Sequence, residues 1–200
     1  MNEPKKNNLI KLVLLGECNV GKTTIFQRFV HKNINENQLS TIGIEFNAKN
    51  YKFNNKDYQI QIFDTGGQER FRSMIERYYK MGNGFFVVFD MTNIDSLNSL
   101  EYWINSINDK APESKYIIIG NKDDLKNKID EKIIKSKLEK YKDIKYIKTS
   151  ALKNININGA FNEMINLLEN NQHSKEEIIV LNKEVHSNIK NKKNKNNKCC

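Results

Sequence analysis

Apolar, β-branched stretches alternate along this chain with segments whose apolar residues recur every three or four positions. That alternation predicts βα units, since parallel strands must be joined by crossover helices. The predicted strands are Leu9–Leu15, Ile44–Phe53, Tyr58–Phe63, Gly84–Asp90, Tyr116–Gly120 and Lys145–Thr149. The predicted helices are Lys22–Lys32, Ser73–Lys80, Ser96–Asp109, Asp130–Tyr141 and Ile157–Asn170, with Asp95 placed to cap the third. Asn54-Asn55-Lys56-Asp57, between the second and third strands, reads as a hairpin turn and makes that pair antiparallel, with one member at the sheet edge. The fold class is α/β: a six-stranded, mostly parallel sheet with one antiparallel strand and helices on both faces. Residues 8–171 read as one domain and 172–200 as a flexible basic tail, expected to be disordered from His186 onward.

In such sheets ligands bind beyond the carboxyl ends of the strands, and the polar signatures of this chain gather there. Gly16-Glu17-Cys18-Asn19-Val20-Gly21-Lys22-Thr23, followed by Thr24, fits the pattern G-x-x-x-x-G-K-S/T directly after the first strand. Gly16 and Gly21 allow a tight loop whose N–H groups face phosphate oxygens, and the helix that follows turns its positive dipole end to the same anion. Lys22 adds charge at the β- and γ-phosphates, and the Thr23 hydroxyl is a ligand for Mg²⁺. These residues imply a nucleoside triphosphate without naming its base.

Asp64-Thr65-Gly66-Gly67-Gln68-Glu69 ends the third strand. Taken alone it is a strand-ending turn; behind a phosphate loop, Asp64 becomes a Mg²⁺ ligand, the Gly67 N–H a γ-phosphate contact and Gln68 the residue that orients water. Thr41, nineteen residues beyond Lys22, can bring a loop hydroxyl to the same Mg²⁺ and γ-phosphate. Asn121-Lys122-Asp123-Asp124 is a polar loop in an Asn- and Lys-rich chain, but its place after a buried strand assigns it to the base. Asp124 would accept from N1–H and the 2-amino group of guanine, Asn121 would bridge to the phosphate loop, and the Lys122 stem would cover the base. Adenine would leave that carboxylate unpaired, at about 1–3 kcal/mol. Thr149-Ser150-Ala151 would offer backbone N–H groups to the guanine 6-oxo group.

With these motifs in this order, the chain resembles the small GTPases of the Ras superfamily, and within them the Rab family, over about residues 8–170. The likeness also draws on Thr41-Ile42-Gly43, Arg70-Phe71-Arg72, Tyr78-Tyr79, Asn156-Ile157 with Ala160-Phe161, and the Cys199-Cys200 ending. The resemblance implies a phosphate-loop GTPase domain that hydrolyses GTP to GDP with Mg²⁺, using Lys22 and Gln68, slowly until an activating protein assists. It implies an effector surface of Ile42, Gly43, Ile44, Phe46, Phe63 and Tyr78, and geranylgeranyl groups on Cys199 and Cys200. Exchange factors, GTPase-activating proteins, an escort protein or GDP-dissociation inhibitor, and effectors are the implied partners. The implied setting is the cytosolic leaflet of an intracellular membrane, in vesicle and protein transport.

Charge adds to this picture. The chain carries a net +9, and residues 173–200 hold seven Lys against three Glu, a tail suited to an anionic leaflet. No RNP, finger or basic-helix motif accompanies the charge, so nucleic acid is not expected as a partner. Cys18, Cys199 and Cys200 have neither disulfide nor zinc spacing. No apolar run reaches the roughly 18–20 residues a membrane span needs, and the polar start lacks a signal peptide, so a cytosolic chain is expected.

Four positions depart from the family pattern. Ile34 stands for the usual Phe beside guanine and Leu152 for the usual Lys after Ser150-Ala151, which predicts looser nucleotide binding. Gly66 replaces Ala in the switch segment, and Phe63 replaces Trp in the effector trio. Gly66, Ile34 and Leu152 keep open a second reading, a GTP-binding scaffold with impaired hydrolysis; a third, a basic RNA-associated GTPase, is disfavoured by the terminal cysteines.

Overall fold

The structure is a computed structural model that describes residues 8–31, 41, 43–66, 72–126 and 128–171. Its strands are β1 (Asn8–Leu15), β2 (Ile44–Phe53), β3 (Lys56–Thr65), β4 (Gly84–Asp90), β5 (Lys115–Asn121) and β6 (Tyr146–Lys148). Its helices are α1 (Lys22–His31), α2 (Arg72–Met81), α3 (Ile94–Asn98), α4 (Leu100–Lys110), α5 (Glu131–Leu138) and α6 (157–171). They build a six-stranded sheet in the order β2-β3-β1-β4-β5-β6. Only β2 with β3 is antiparallel. This is the architecture expected from the alternation of patterns.

The hairpin turn is tighter than the tetrad implied. Phe53 pairs with Lys56, which leaves Asn54 and Asn55 as a two-residue loop with φ of 47° and 60°. Such a turn needs both residues in the left-handed region, which Asn tolerates. The ladder draws Lys56 and Asp57 into β3, and the strand also runs past Phe63 to Thr65.

Two of the predicted helices are corrected. Asp95 does not cap the third one: the Asn93 side chain accepts from the Asp95 N–H, and the helix starts at Ile94. The same helix breaks at Ser99, whose hydroxyl donates to Ser96 O at 2.9 Å and competes with the backbone ladder. Asp130, expected as the first residue of the next helix, is its N-cap and accepts from Lys132 N at 2.8 Å. Residues Glu139–Tyr141 tighten into a 3-10 turn after α5.

Every residue of β4 is buried, as a parallel strand covered on both faces should be. Alternation sends Phe85, Val87 and Phe89 into a cluster with Tyr79 of α2 and Trp103, Ile104 and Ile107 of α4. On the other face Phe86 meets Phe161 of α6, which stacks on Phe29 of α1 with ring centroids 3.5 Å apart. The residues up to Met164 belong to one compact unit and a second begins at Ile165. No helix among the described residues is long and apolar enough to cross a membrane.

Candidate nucleotide-binding site

The loop between β1 and α1 wraps around a lysine. Lys22 is buried, and its Nζ donates back to Gly16 O at 2.8 Å and Glu17 O at 2.7 Å. Burial pulls its ammonium down to about 8. The loop needs its glycines: Gly16 has φ +140°, and a Cβ there would lie 2.2 Å from Val88 O. At Gly21, with φ +95°, a Cβ would meet Asn121 Nδ2 at 2.3 Å. Glu17 is also gripped from the side, since the buried Trp103 indole of α4 donates to Glu17 Oε1 at 3.2 Å. The sequence motif assigned no part to Trp103.

The β1–β3 register places Asp64 beside Leu14, just ahead of this loop. Thr23 Oγ1 donates to Asp64 Oδ2 at 2.6 Å, and Thr41 Oγ1 lies 2.7 Å from Thr23 Oγ1 and 3.3 Å from Asp64 Oδ2. Three expected Mg²⁺ ligands, from three separate segments, therefore meet. Asp64 Oδ1 is buried without a hydrogen-bond partner, and burial pushes the carboxyl up to about 6. An orphaned carboxylate oxygen beside two hydroxyls is a fitting donor set for a hard cation that completes its shell with phosphate and water oxygens. Among the described residues, no group of three His, Cys, Asp or Glu offers another metal site.

On the base side, the β4–β5 register sets Asn121 next to Asp90. Asn121 is a junction: Nδ2 donates to Val20 O at 2.9 Å, while Oδ1 accepts from Thr149 Oγ1 and the Ala151 N–H, both at 3.1 Å. Lys122, at φ +66°, pairs with Asp90 Oδ2 at 2.7 Å. Ser150 Oγ donates to Asp124 Oδ1 at 2.6 Å and so aims the carboxylate. Gly21, Thr24, Asn121, Lys122, Asp124, Leu125, Ala151 and Leu152 surround a cavity of about 200 Å³.

In the loop after β6, backbone N–H groups of Thr149-Ser150-Ala151 were expected to meet a 6-oxo group. Thr149 N–H is spent on Gly120 O and Ser150 N–H on Ile155 O. Of the three, only the Ala151 N–H, which meets the Asn121 side chain rather than a backbone carbonyl, can be handed to a ligand. Sequence reasoning also missed Arg28 of α1, whose Nε and Nη2 donate to Ala151 O and Leu152 O.

The aromatic trio is contiguous, with Phe46 and Tyr78 each 5.1 Å from Phe63 between ring centroids. Only Phe46 faces solvent, 52% exposed, whereas Phe63 and Tyr78 are buried. Gly43 is buried, Ile44 partly so, and Gly43 O accepts from Gly66 N–H at 2.8 Å. Ile34, Ile42, Gly67, Gln68, Cys199 and Cys200 lie outside the described residues.

A phosphate loop, a hydroxyl–carboxylate cluster and a base cavity at one edge of a mostly parallel sheet define a phosphate-loop nucleotide-binding domain. The family profile described as "Ras family" matches residues 11–170. "Ras-related protein RabT2" of Dictyostelium discoideum is 41% identical over 174 residues, 83% of this chain and 78% of the relative. "Ras-related protein Rab-8A" of Pongo abelii is 38% identical over 157 residues, 76% and 75% of the two chains. "GTP-binding protein ypt1" of Schizosaccharomyces pombe is 34% identical over 163 residues, 79% of each chain. The chain belongs to the Ras family of small GTPases, and its relatives point to the Rab branch.

Proposed function

We propose that this chain is a Rab-like switch that binds guanine nucleotide with Mg²⁺, hydrolyses GTP to GDP and phosphate, and acts in membrane trafficking. The observation that carries the reading is the meeting of Thr23, Thr41 and Asp64 around the unpartnered Asp64 Oδ1. Thr41 belongs to the loop between α1 and β2, so its hold on this cluster is the contact that a γ-phosphate would strengthen and hydrolysis would release.

The chain's residues divide the chemistry between them. The loop amides and Lys22 neutralise charge on the phosphates, whose presence restores the Lys22 ammonium that burial weakens. Thr23, Thr41 and Asp64 would hold the cation, which would offset the charge developing on the phosphates. Gln68 orients the attacking water. Asp124, aimed by Ser150, reads the N1 and 2-amino edge of guanine. Of the arginines whose side chains are described, Arg28 is engaged on the base loop and Arg77 on the Tyr78 hydroxyl. Neither is placed as an arginine finger, which fits slow hydrolysis that an activating protein accelerates.

Rab relatives and the Cys199-Cys200 ending behind a lysine-rich tail support the trafficking assignment. One prenyl chain binds reversibly, and a second, with about 1 kcal/mol per lysine on an anionic leaflet, makes the anchor stable. The nucleotide released by denaturing the purified chain tests the core of this reading. Guanine nucleotide is expected; adenine nucleotide overturns it. Single-turnover hydrolysis with and without Mg²⁺ decides between a switch and a non-hydrolysing scaffold. An unmodified C-terminal peptide from the native cell, read by mass spectrometry, defeats the anchor.

A further inference from the structure

Arg28 lies six residues beyond Lys22, less than two turns along α1 from the phosphate loop. Its guanidinium leaves that helix for the loop after β6, where Nε donates to Ala151 O at 3.0 Å and Nη2 to Leu152 O at 2.7 Å. The N–H of Ala151 points to the Asn121 carboxamide, whose other end holds Val20 in the phosphate loop. The Ala151 residue is thus gripped at its carbonyl from α1 and at its amide from β5.

We propose that Arg28 is a positioning residue for base recognition: by fixing the carbonyls of Ala151 and Leu152 it aims the Ala151 N–H at the base's 6-oxo group. This rests on the reading above that the base is guanine. The Ser150 and Thr149 amides are already committed, so the 6-oxo contact depends on Ala151 more than on either of these two. Little side-chain burial steadies the following residue, since Leu152 is 47% exposed. A planar fork satisfies two adjacent carbonyls at once, which a lysine ammonium on a flexible stem does less well. The contact also links the two ends of the nucleotide through one helix: Lys22 and Thr23 face the phosphates, and Arg28 sets the base loop.

The test is a cycle between the protein and the base's 6-position. Parent chain, Arg28→Ala and Arg28→Lys are compared in competition binding, with GDP and with 2-aminopurine riboside diphosphate, which lacks the 6-oxo group and with it the N1–H. The N1–H loss weakens binding alike in all three proteins, so only the change on substitution at Arg28 is compared. Loss of a part-buried hydrogen bond held by a charged group predicts about tenfold weaker GDP binding by Arg28→Ala. The aminopurine nucleotide should change less than about twofold, within the additivity of uncoupled sites. Arg28→Lys should fall between parent and Arg28→Ala for GDP, and it carries the cycle if Arg28→Ala does not fold. Equal losses for both ligands make Arg28 a general support of the fold and overturn the proposal, as does unchanged GDP affinity. A parent that binds both ligands equally well overturns the guanine reading itself, a result distinct from the other two.

Discussion

Replacing Asn121 with alanine removes a side chain that ties the phosphate loop, β5 and the base loop together. Three hydrogen bonds vanish: to Val20 O at 2.9 Å, and from Thr149 Oγ1 and the Ala151 N–H at 3.1 Å. Asn121, Val20, Thr149 and Ala151 are all buried, so water does not freely replace what is lost. At about 1 kcal/mol for each bond, the cost is about 3 kcal/mol. For a domain of this size that lowers the melting temperature by roughly 6–12 °C. The measurement is urea and thermal denaturation followed by circular dichroism on nucleotide-free protein, because bound nucleotide adds its own stabilisation by mass action. Thr149→Val, which removes one of the three bonds at nearly constant shape, should cost only about 1 kcal/mol. A loss below about 1 kcal/mol for Asn121→Ala, or one no larger than that of Thr149→Val, refutes the junction.

Phe161→Ala should cost about 3–5 kcal/mol by the same denaturation assay, since the ring is fully buried between Phe29 and Phe86; a loss under about 1 kcal/mol contradicts the packing. Gly16→Ala, whose Cβ collides with Val88 O at 2.2 Å, should abolish nucleotide retention on gel filtration. Gly159→Ala, on α6 with nothing within 4 Å of the added Cβ, should stabilise the chain by about 0.5–1 kcal/mol; similar behaviour of the two variants counts against the loop geometry. The chain has a single Trp, and Trp103 touches Glu17 of the phosphate loop. Stripping nucleotide with EDTA should therefore change the emission of the parent and leave Trp103→Phe without that signal; constant parent emission refutes the coupling.

The features legible in the amino-acid order are those whose physics is local. Gly16, Gly21 and Lys22 declare a phosphate loop because a tight turn, a close backbone approach and a charge must fall at set spacings. The β4 strand reads as a continuous apolar run because both its faces are covered, and Asn54-Asn55 marks the hairpin because both residues need left-handed backbone. Element edges were less legible. Asp95 and Asn93 are both good capping residues, and only the fold chose Asn93; Ser99 breaks a helix through a hydroxyl that could as well have faced water. The residue types of the site were legible too, but not its joins. Thr23 and Asp64 are forty-one positions apart, Trp103 and Glu17 eighty-six, and Arg28 and Ala151 one hundred and twenty-three. An arginine on a helix and a tryptophan in a core carry no pattern that says which distant backbone they will hold. Those pairings come from strand order and register, which set Asp64 beside Leu14 and Asn121 beside Asp90. Spacing along the chain therefore specifies the chemistry that one loop can perform, while only the packed sheet decides which loops act together.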